Sequence, residues 1–142
     1  MSEWVLIDHR KPLEREPDEY SGFAYYPKEA VESEAQLRAA LAHFRQLEPA
    51  LLVLVSPSKE SLEIGLGPDF SGLRWKKPPS RWNSKHAVNP HPVTGQGLEI
   101  EDGGGGSGIE ADHLFPTDEV IEAVVQFYRT GRRPDSLQWE DW

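Results

Sequence analysis

The sequence predicts an α+β domain built on a mainly antiparallel sheet of about six strands with two amphipathic helices. Two stretches place apolar residues at helical spacing, while several short segments of β-forming residues are separated by turns that contain Gly and Pro. At 142 residues, the chain has the length of one domain and is long enough to bury a core. We therefore expect a single domain over residues 1–142.

The composition limits the chemistry that the chain can perform. It contains no cysteine, which excludes disulfides, thiol catalysis and zinc sites built on thiolates, and which fits a reducing cytoplasm. No apolar run is long enough to cross a membrane, so we expect a cytoplasmic protein that does not associate with membranes. The 24 acidic and 15 basic residues give a net charge of −9. Such a charge repels phosphate backbones and attracts basic partners, or it serves solubility alone.

The N-terminal part of the chain predicts a strand followed by irregular structure. Residues 3–8 are rich in β-forming side chains and predict the first strand. Residues 12–20 contain two prolines and several charges, which is typical of an irregular connection. The aromatic residues Phe23, Tyr25 and Tyr26 predict either a short strand or an aromatic surface patch.

The first helix is predicted to begin after Ser33. Ser33 and Gln36 fit a capping box, in which each side chain satisfies a backbone N–H at the helix start. Pro49 ends the run, and His43 lies off the apolar stripe, where it faces solvent. The stripe consists of Leu37, Ala40, Leu41, Phe44 and Leu47.

The middle of the chain predicts the centre of the sheet. Residues 50–55 form a continuous apolar run that predicts a strand covered on both faces. Residues 62–66 alternate between apolar and other residues, which predicts a half-buried strand. The turn-forming residues 67–69 then lead to residues 73–76, its expected antiparallel partner.

A long loop and a second hairpin are predicted next. Residues 78–94 contain four prolines and predict a loop of the length that is functional or mobile in compact domains. Residues 96–101 alternate between apolar and acidic side chains and predict a strand. Residues 103–108 (GGGGSG) predict a flexible tip, and residues 109–114 are expected to complete the hairpin.

The second helix is predicted to begin at Thr117. Thr117 fits an N-cap, because its hydroxyl can accept a hydrogen bond from a free N–H of the first turn. Gly131 can adopt the left-handed conformation that ends a helix. Leu137 and Trp139 alternate beyond it and predict a short terminal strand. The apolar stripe of the helix consists of Val120, Ile121, Val124, Val125, Phe127 and Tyr128.

These C-terminal residues resemble those of a known family. A helix that follows a proline and continues into FYRTGRRPDSLQW, residues 127–139, is similar to the C-terminal signature of an immunity-protein family of bacterial polymorphic toxin systems. Residues 61–75, SLEIGLGPDFSGLRW, resemble the middle strands of the same family. That family is the one usually encoded beside toxins of the nucleic-acid deaminase superfamily. The resemblance implies a protein that binds a cognate toxin domain and occludes its active site, with neither catalysis nor a cofactor of its own.

Acidic residues around the predicted hairpin are the candidate contact surface for such a partner. They would contact the basic, substrate-binding cleft of a deaminase-like toxin domain, while the alternative is a solvated surface without a partner. Asp69 at a turn tip and Trp82 in the long loop would add a charge and an aromatic anchor. The acidic residues of the hairpin are Glu99, Glu101, Asp102, Glu110 and Asp112.

Two other sequence features favour different functions. Residues 74–85 interleave basic side chains with Trp75 and Trp82, as single-strand nucleic-acid binders do, and they define nucleic-acid or nucleotide binding as the alternative function. The acidity of the rest of the chain opposes that function. His113 beside Asp112 would suit a small hydrolase, but such neighbours also arise by chance in a chain with 24 acids.

Motifs of several enzyme and metal-binding classes are missing. The Gly run lacks the Lys and hydroxyl residue of a Walker loop, and no GxSxG nucleophile elbow occurs. The five histidines lack metal-ligand spacing, so no metal is expected, although His86 and His91 share the long loop. Because it has neither cysteine nor an HxE motif, the chain cannot itself be a zinc deaminase.

Overall fold

A computed structural model describes residues 3–10, 27–78, 83–102 and 106–141 of the chain. The helices are α1 (Glu34–Phe44) and α2 (Thr117–Thr130), and a short 3-10 helix spans Ala111–His113. None of these helices is long and apolar enough to cross a membrane. The strands are β1 (Trp4–Asp8), β2 (Lys28–Val31), β3 (Ala50–Val55), β4 (Ser61–Leu66), β5 (Phe70–Lys76), β6 (Ser84–Val88), β7 (Leu98–Ile100), β8 (Ser107–Ile109), β9 (Phe115–Pro116) and β10 (Gln138–Asp141).

The strands confirm the predicted α+β class with an antiparallel sheet. Seven strands lie in the order β10-β6-β5-β4-β3-β1-β2, and β9 pairs with β5 beside this path. All strand pairs among the described residues are antiparallel. β7 and β8 form a separate pair, which a parallel bridge between Ala50 and Glu101 joins to the main sheet.

Both helices pack on one face of the sheet and form the core with it. α2 contributes Val120, Val124 and Phe127, and α1 contributes Leu37 and Leu41, all of them fully buried. Each large apolar side chain buried in this layer contributes roughly 1.5–3 kcal/mol gross, so the layer holds the helices firmly on the sheet. The sheet residues that face the helices include Leu52, Leu54, Leu62, Ile64, Leu73 and Trp75.

The predicted start of α1 and the predicted end of α2 are both confirmed. The Ser33 hydroxyl accepts a hydrogen bond from the Gln36 amide at 3.1 Å, and the Gln36 side chain accepts one from the Glu32 amide at 2.8 Å. Gly131 adopts a φ of 69°, and its N–H donates to the carbonyl of Phe127 at 2.7 Å. The left-handed backbone at this position explains why glycine occupies it.

The N-cap predicted at Thr117 is wrong. Thr117 is the first helical residue, it is buried, and its hydroxyl makes no capping bond. The hydroxyl instead donates to the carbonyl of Gly67 at 2.8 Å and lies 2.8 Å from the hydroxyl of Ser71. The Thr117 hydroxyl therefore bonds to groups outside the helix, and these bonds connect the β4–β5 turn to the start of α2.

Other boundaries differ because tertiary pairing overrides local sequence. The predicted loop 78–94 is wrong in part, since β6 lies inside it and pairs with β5. The predicted strand at 109–114 is also wrong in part, because β8 ends at Ile109 and the 3-10 helix follows. Leu47 was expected in the α1 stripe, yet it is 40% exposed beyond the helix end.

Strands β2 and β9 were not expected. β2 has the mostly polar sequence KEAV, and β9 has only two residues, so neither shows a strand pattern. Some expectations fall outside the described residues and stay predictions: the connection at 12–20, the aromatic residues Phe23, Tyr25 and Tyr26, the contact residue Trp82, and glycines 103–105 of the flexible tip.

Ion pairs join the outer surfaces of the two helices. Arg38 of α1 makes two hydrogen bonds to Glu122 of α2, at 2.6 and 3.1 Å, and a third to Glu34 at 3.1 Å. Arg129 of α2 makes two hydrogen bonds back to Glu34, at 2.5 and 2.8 Å. Hydrogen bonds from Arg129 and Arg38 hold the pKa of Glu34 at about 2.

Candidate functional site

The face of the sheet opposite the helices carries a row of charged residues. Glu63 of β4 lies opposite Arg74 of β5, and Arg74 lies opposite His86 of β6. Since residues paired in register share a face, the three side chains form one row across the sheet. Leu51 and Val53 of β3 are half-buried on this face, so the expected burial of residues 50–55 on both faces is met in part. We call this surface the open face.

The β7–β8 pair covers part of the open face because two glycines leave room for a side chain. Gly65 and Gly72 lie opposite each other in the β4–β5 ladder. Ile109 of β8 fills the space above them: a Cβ on Gly65 would overlap its Cδ1, and a Cβ on Gly72 would lie 3.1 Å from its Cγ2. At the other end of the pair, the amide of Leu51 donates to the carbonyl of Glu101 at 2.8 Å.

A cleft of about 410 Å³ lies between the β7–β8 pair and the row of charged residues. Its size is that of pockets that bind ligands or partner side chains. Apolar and polar walls face each other across it, which suits a mixed contact. The apolar wall includes Leu51, Ile100 and Ile109, and the polar wall includes Glu63, Arg74, His86, Glu110 and His113.

Two cations of β5 neutralise the carboxylate of Glu63 in the floor of the cleft. The Lys76 ammonium lies 3.2 Å from Oε2 of Glu63, and an Arg74 guanidinium nitrogen lies 3.9 Å from the same oxygen. The side chain of Glu63 is only 14% exposed, and Oε2 has no partner with hydrogen-bond geometry. Its charge is therefore balanced by proximity to cations, and these cations are already engaged within the molecule.

Two histidine rings stack at the edge of the cleft. The rings of His86 on β6 and His113 in the 3-10 helix have centroids 4.1 Å apart and planes 33° apart. Burial lowers the pKa of His86, and His113 and Arg74 lower it further, while the nearby carboxylates of Glu140 and Asp112 oppose the shift. His86 is therefore held towards its neutral form.

Some of the predicted contact residues are exposed, while others are half-buried and make hydrogen bonds within the molecule. Glu99, Glu110 and Asp112 are exposed. Asp102 is half-buried and organises the hairpin, since its carboxylate accepts hydrogen bonds from the Gly106 amide, at 3.1 Å, and from the Ser107 hydroxyl.

The other two predicted contact residues that the structure describes are Glu101 and Asp69, which lie at opposite ends of β7. Glu101 is half-buried, and its backbone ties β7 to β3. Asp69 is exposed in the β4–β5 turn, and its carbonyl accepts the Thr117 amide at 2.9 Å. Leu98 of β7 reaches the same turn, because a Cβ on Gly67 would lie 3.0 Å from its Cδ2. Asp69 is thus at the end of the sheet where β7 begins.

Two shallow grooves, each of about 550 Å³, lie on either side of the β7–β8 pair. Glu99 lines both grooves, Glu110 lines one of them, and Glu48 and Glu101 line the other. No Lys or Arg occurs among the described residues that line either groove. The described lining of the two grooves therefore contains acidic side chains and no basic one.

The basic segment predicted at residues 74–85 does not form one cationic surface in its described part. Arg74 and Lys76 lie on the open face beside Glu63, whereas Lys85 lies on the other face and pairs with Asp141. Arg74 and Lys76 share the one carboxylate of Glu63, and Lys77 is exposed beyond them. The positive charge is therefore divided between two faces and offers no continuous surface to a phosphate backbone.

Side chains that could bind a metal occur together at one place among the described residues. Ligand atoms of Glu110, Asp112 and His113 lie within 4.8 Å of one another. The two carboxylates are exposed, and a structural metal site needs a closed set of about four ligands. The three residues alone therefore do not define a metal site. The ring of His113, which was considered for hydrolysis, lies 3.8 Å from Asp112 and is packed on His86.

Glu48, Glu63 and His86 belong to the site but are absent from the predicted contact residues. The opposition of Glu63 and Arg74 follows from the predicted hairpin at 61–75, so the sequence contained a signal for it. The position of His86 depends on β6, which is hidden in a proline-rich stretch. Glu48 follows a helix end, and only the tertiary structure brings it to the groove.

The chain matches a known protein family over most of its length. A family model described as "Immunity protein Imm1" matches residues 27–141. The matched stretch contains both helices, nine of the ten described strands and every residue of the cleft. No curated protein matches the sequence.

Proposed function

The chain belongs to the Imm1 family of immunity proteins, whose role is protection against a toxin, and from this we propose that it binds one cognate bacterial toxin domain and occludes its active site. Inhibition of this kind is stoichiometric and requires neither catalysis nor a cofactor. We place it in the cytoplasm of a bacterium that makes the toxin, with residues 1–142 acting as one domain.

We infer that the toxin is a nucleic-acid deaminase. The support is the resemblance of residues 61–75 and 127–139 to the immunity family usually encoded beside deaminase toxins. A deaminase must bind a polyanionic substrate, so its substrate cleft is expected to be basic. A protein of net charge −9 is electrostatically suited to approach such a cleft.

The observation that supports the proposed interface is the exposure of acidic side chains on the β7–β8 pair and directly after it. Glu99 and Glu110 are exposed there, and no cation lines the adjoining grooves among the described residues. Asp112 and Asp69 extend the surface at its two ends, and Trp82 would add an aromatic anchor. A contact of standard size, roughly 1,600 Å² in total, could include this hairpin together with the cleft.

The direct test uses the toxin domain encoded beside this chain. The purified domain is titrated with the chain while its deaminase activity is measured on single-stranded DNA and RNA. We expect activity to reach zero at one equivalent and the two proteins to elute together on size-exclusion chromatography. Full activity at excess chain would contradict the immunity proposal, while inhibition of a toxin with another chemistry would contradict only the deaminase assignment.

A further inference from the structure

Residues 107–113, which we call the latch segment, contact the main sheet at two places. At one of them, Ile109 fills the notch between the two glycines of the open face. At the other, the carbonyl of Asp112 accepts the Asn89 amide at 2.7 Å, and the ring of His113 stacks on His86. The second place therefore joins the segment to β6 and to the residue that follows it, through one hydrogen bond and one ring contact.

Charged groups face this histidine pair from every neighbouring element. Three of them favour a positive charge on the rings, and one opposes it. The carboxylates are Glu140 of β10 and Glu110 and Asp112 of the latch segment, the cation is Arg74 of β5, and Glu63 of β4 is already balanced by Arg74 and Lys76. Burial outweighs the carboxylates, because the pKa of His86 is lowered in spite of them.

We propose that the stack of His86 on His113 is a pH-sensitive latch, which holds residues 110–113 on the sheet while His86 is neutral and releases them when His86 is protonated. Residues 107–109 stay paired with β7. A positive charge on His86 would be partly buried against the ring of His113, whose centroid lies 4.1 Å away, and it would be repelled by the guanidinium of Arg74.

The direction of the effect follows from linkage. The pKa of His86 is lowered in the stacked state, so His86 binds a proton more readily once the stack has opened. Protonation therefore favours the open state. The stabilisation by the latch is complete above the ordinary histidine pKa of 6.5 and is lost as the pH falls below that value.

Release of the latch would also change the proposed toxin contact, and this part rests on the proposed function. Glu99 stays paired with Gly108, whereas Glu110 lies just beyond the β7–β8 ladder, so its carboxylate would move relative to Glu99. Affinity for the toxin would then fall between pH 7.5 and pH 5.5. The latch itself is a property of the isolated chain, so it can be tested without any toxin.

The test is amide hydrogen exchange of the full chain at pH 7.5 and pH 5.5, corrected for the intrinsic exchange rate at each pH. The reporter is the Asn89 amide, which is bonded across the latch to Asp112. We expect its protection to fall about tenfold at the lower pH. The amide of Ile64 in the central strand β4 reports global opening, and its protection is expected to change less than twofold.

Three variants assign the effect to the stack. His86→Phe keeps an aromatic ring on His113 but cannot take up a proton, and it should abolish the pH dependence at Asn89. His43→Gln removes an exposed histidine of α1 and should leave the tenfold change intact. His9 must be tested as well, since burial lowers its pKa too; His9→Gln should also leave the change intact.

Three results would overturn the latch. They are equal Asn89 protection at both pH values, a pH dependence that survives in His86→Phe, and a pH dependence that disappears in His9→Gln. None of these results bears on toxin inhibition at pH 7.5. Conversely, a chain that shows the latch but inhibits no toxin would contradict the proposed function alone.

Discussion

Ile109 occupies the space that a side chain on Gly65 would need. The two residues are 44 positions apart in the sequence, and their contact is what seats the β7–β8 pair on the open face. Gly65 is therefore required for a tertiary reason, since its φ is not in the left-handed region. The fit of one side chain into one notch makes a direct mutational test possible.

Gly65→Ala should destabilise the protein by about 1–3 kcal/mol, because the new methyl group overlaps Ile109 in a packed site. The free energy of unfolding is measured by urea denaturation. Gly108→Ala is the matched control, since a Cβ there meets nothing within 4 Å. If overlap is the cause, Ile109→Ala should relieve the clash, so that the double variant is more stable than the sum of the single effects by at least about 0.5 kcal/mol. If the two single effects add up to that of the double variant, the overlap with Ile109 is not the cause of the destabilisation.

Thr117→Val should cost about 1–3 kcal/mol of stability, although the two side chains have nearly the same shape. The substitution removes one of the two hydrogen bonds that the Gly67 carbonyl accepts, the other being from the Ser71 hydroxyl, and it also removes a partner of that hydroxyl in a buried site. Thr130→Val at the end of α2 serves as the control, because the Thr130 hydroxyl bonds to the Gln126 carbonyl and the Arg132 amide at exposed positions. Water can replace the lost hydroxyl there, so stability should change by less than about 0.5 kcal/mol. Equal losses for the two variants in thermal or urea unfolding would show that the buried hydroxyl contributes nothing.

The ion pairs between the helices should make stability depend on acidic pH. The pKa of Glu34 falls from 4.5 to about 2 in the folded protein, so the unfolded chain binds the proton more tightly. The contribution of Glu34 is therefore fully present above pH 4.5 and is lost as the pH falls towards 2. Urea titrations at pH 6, 4 and 3 should show a smaller decline for Glu34→Gln than for the original chain. Glu119→Gln, an exposed carboxylate of the same helix layer, should show the original decline.

The hairpin carboxylates should act mainly on the rate of toxin association. Glu99→Gln combined with Glu110→Gln removes two charges from the proposed interface, and association at low salt is expected to slow about tenfold. Glu32→Gln combined with Glu119→Gln removes the same charge from other exposed positions and should have a much smaller effect. Surface plasmon resonance at two salt concentrations measures the association rate constant of each double variant. Identical association rates for both would place the interface elsewhere on the molecule.

Those parts of the fold that are encoded by local pattern could be predicted. The Ser33 cap, the Gly131 end of α2 and the strand at residues 50–55 each depend on residues that are adjacent in sequence. The pairing of residues 62–66 with 73–76 follows from the tight turn between them, because a turn fixes the register of its hairpin.

The parts that depend on distant neighbours could not be predicted. β6 reads as a proline-flanked loop, and it becomes a strand because β5 and β10 offer it hydrogen-bond partners on both sides. Thr117 has the side chain of an N-cap, yet a carbonyl from a turn 50 residues earlier binds it. Clefts form between elements that are distant in sequence, so the sequence pattern did not predict that Glu63 and His86 line one cleft, although it did single out the hairpin acids.

The order of the strands also determines when the sheet can be completed during synthesis. β6 has β5 on one side from the moment it forms, but its other neighbour, β10, spans Gln138–Asp141. Until the ribosome has released those residues, β6 presents a bare row of amide and carbonyl groups to its surroundings. A nascent chain arrested just after α2 would thus already have its helices but would expose β6 as an unpaired edge strand, with which other chains could pair.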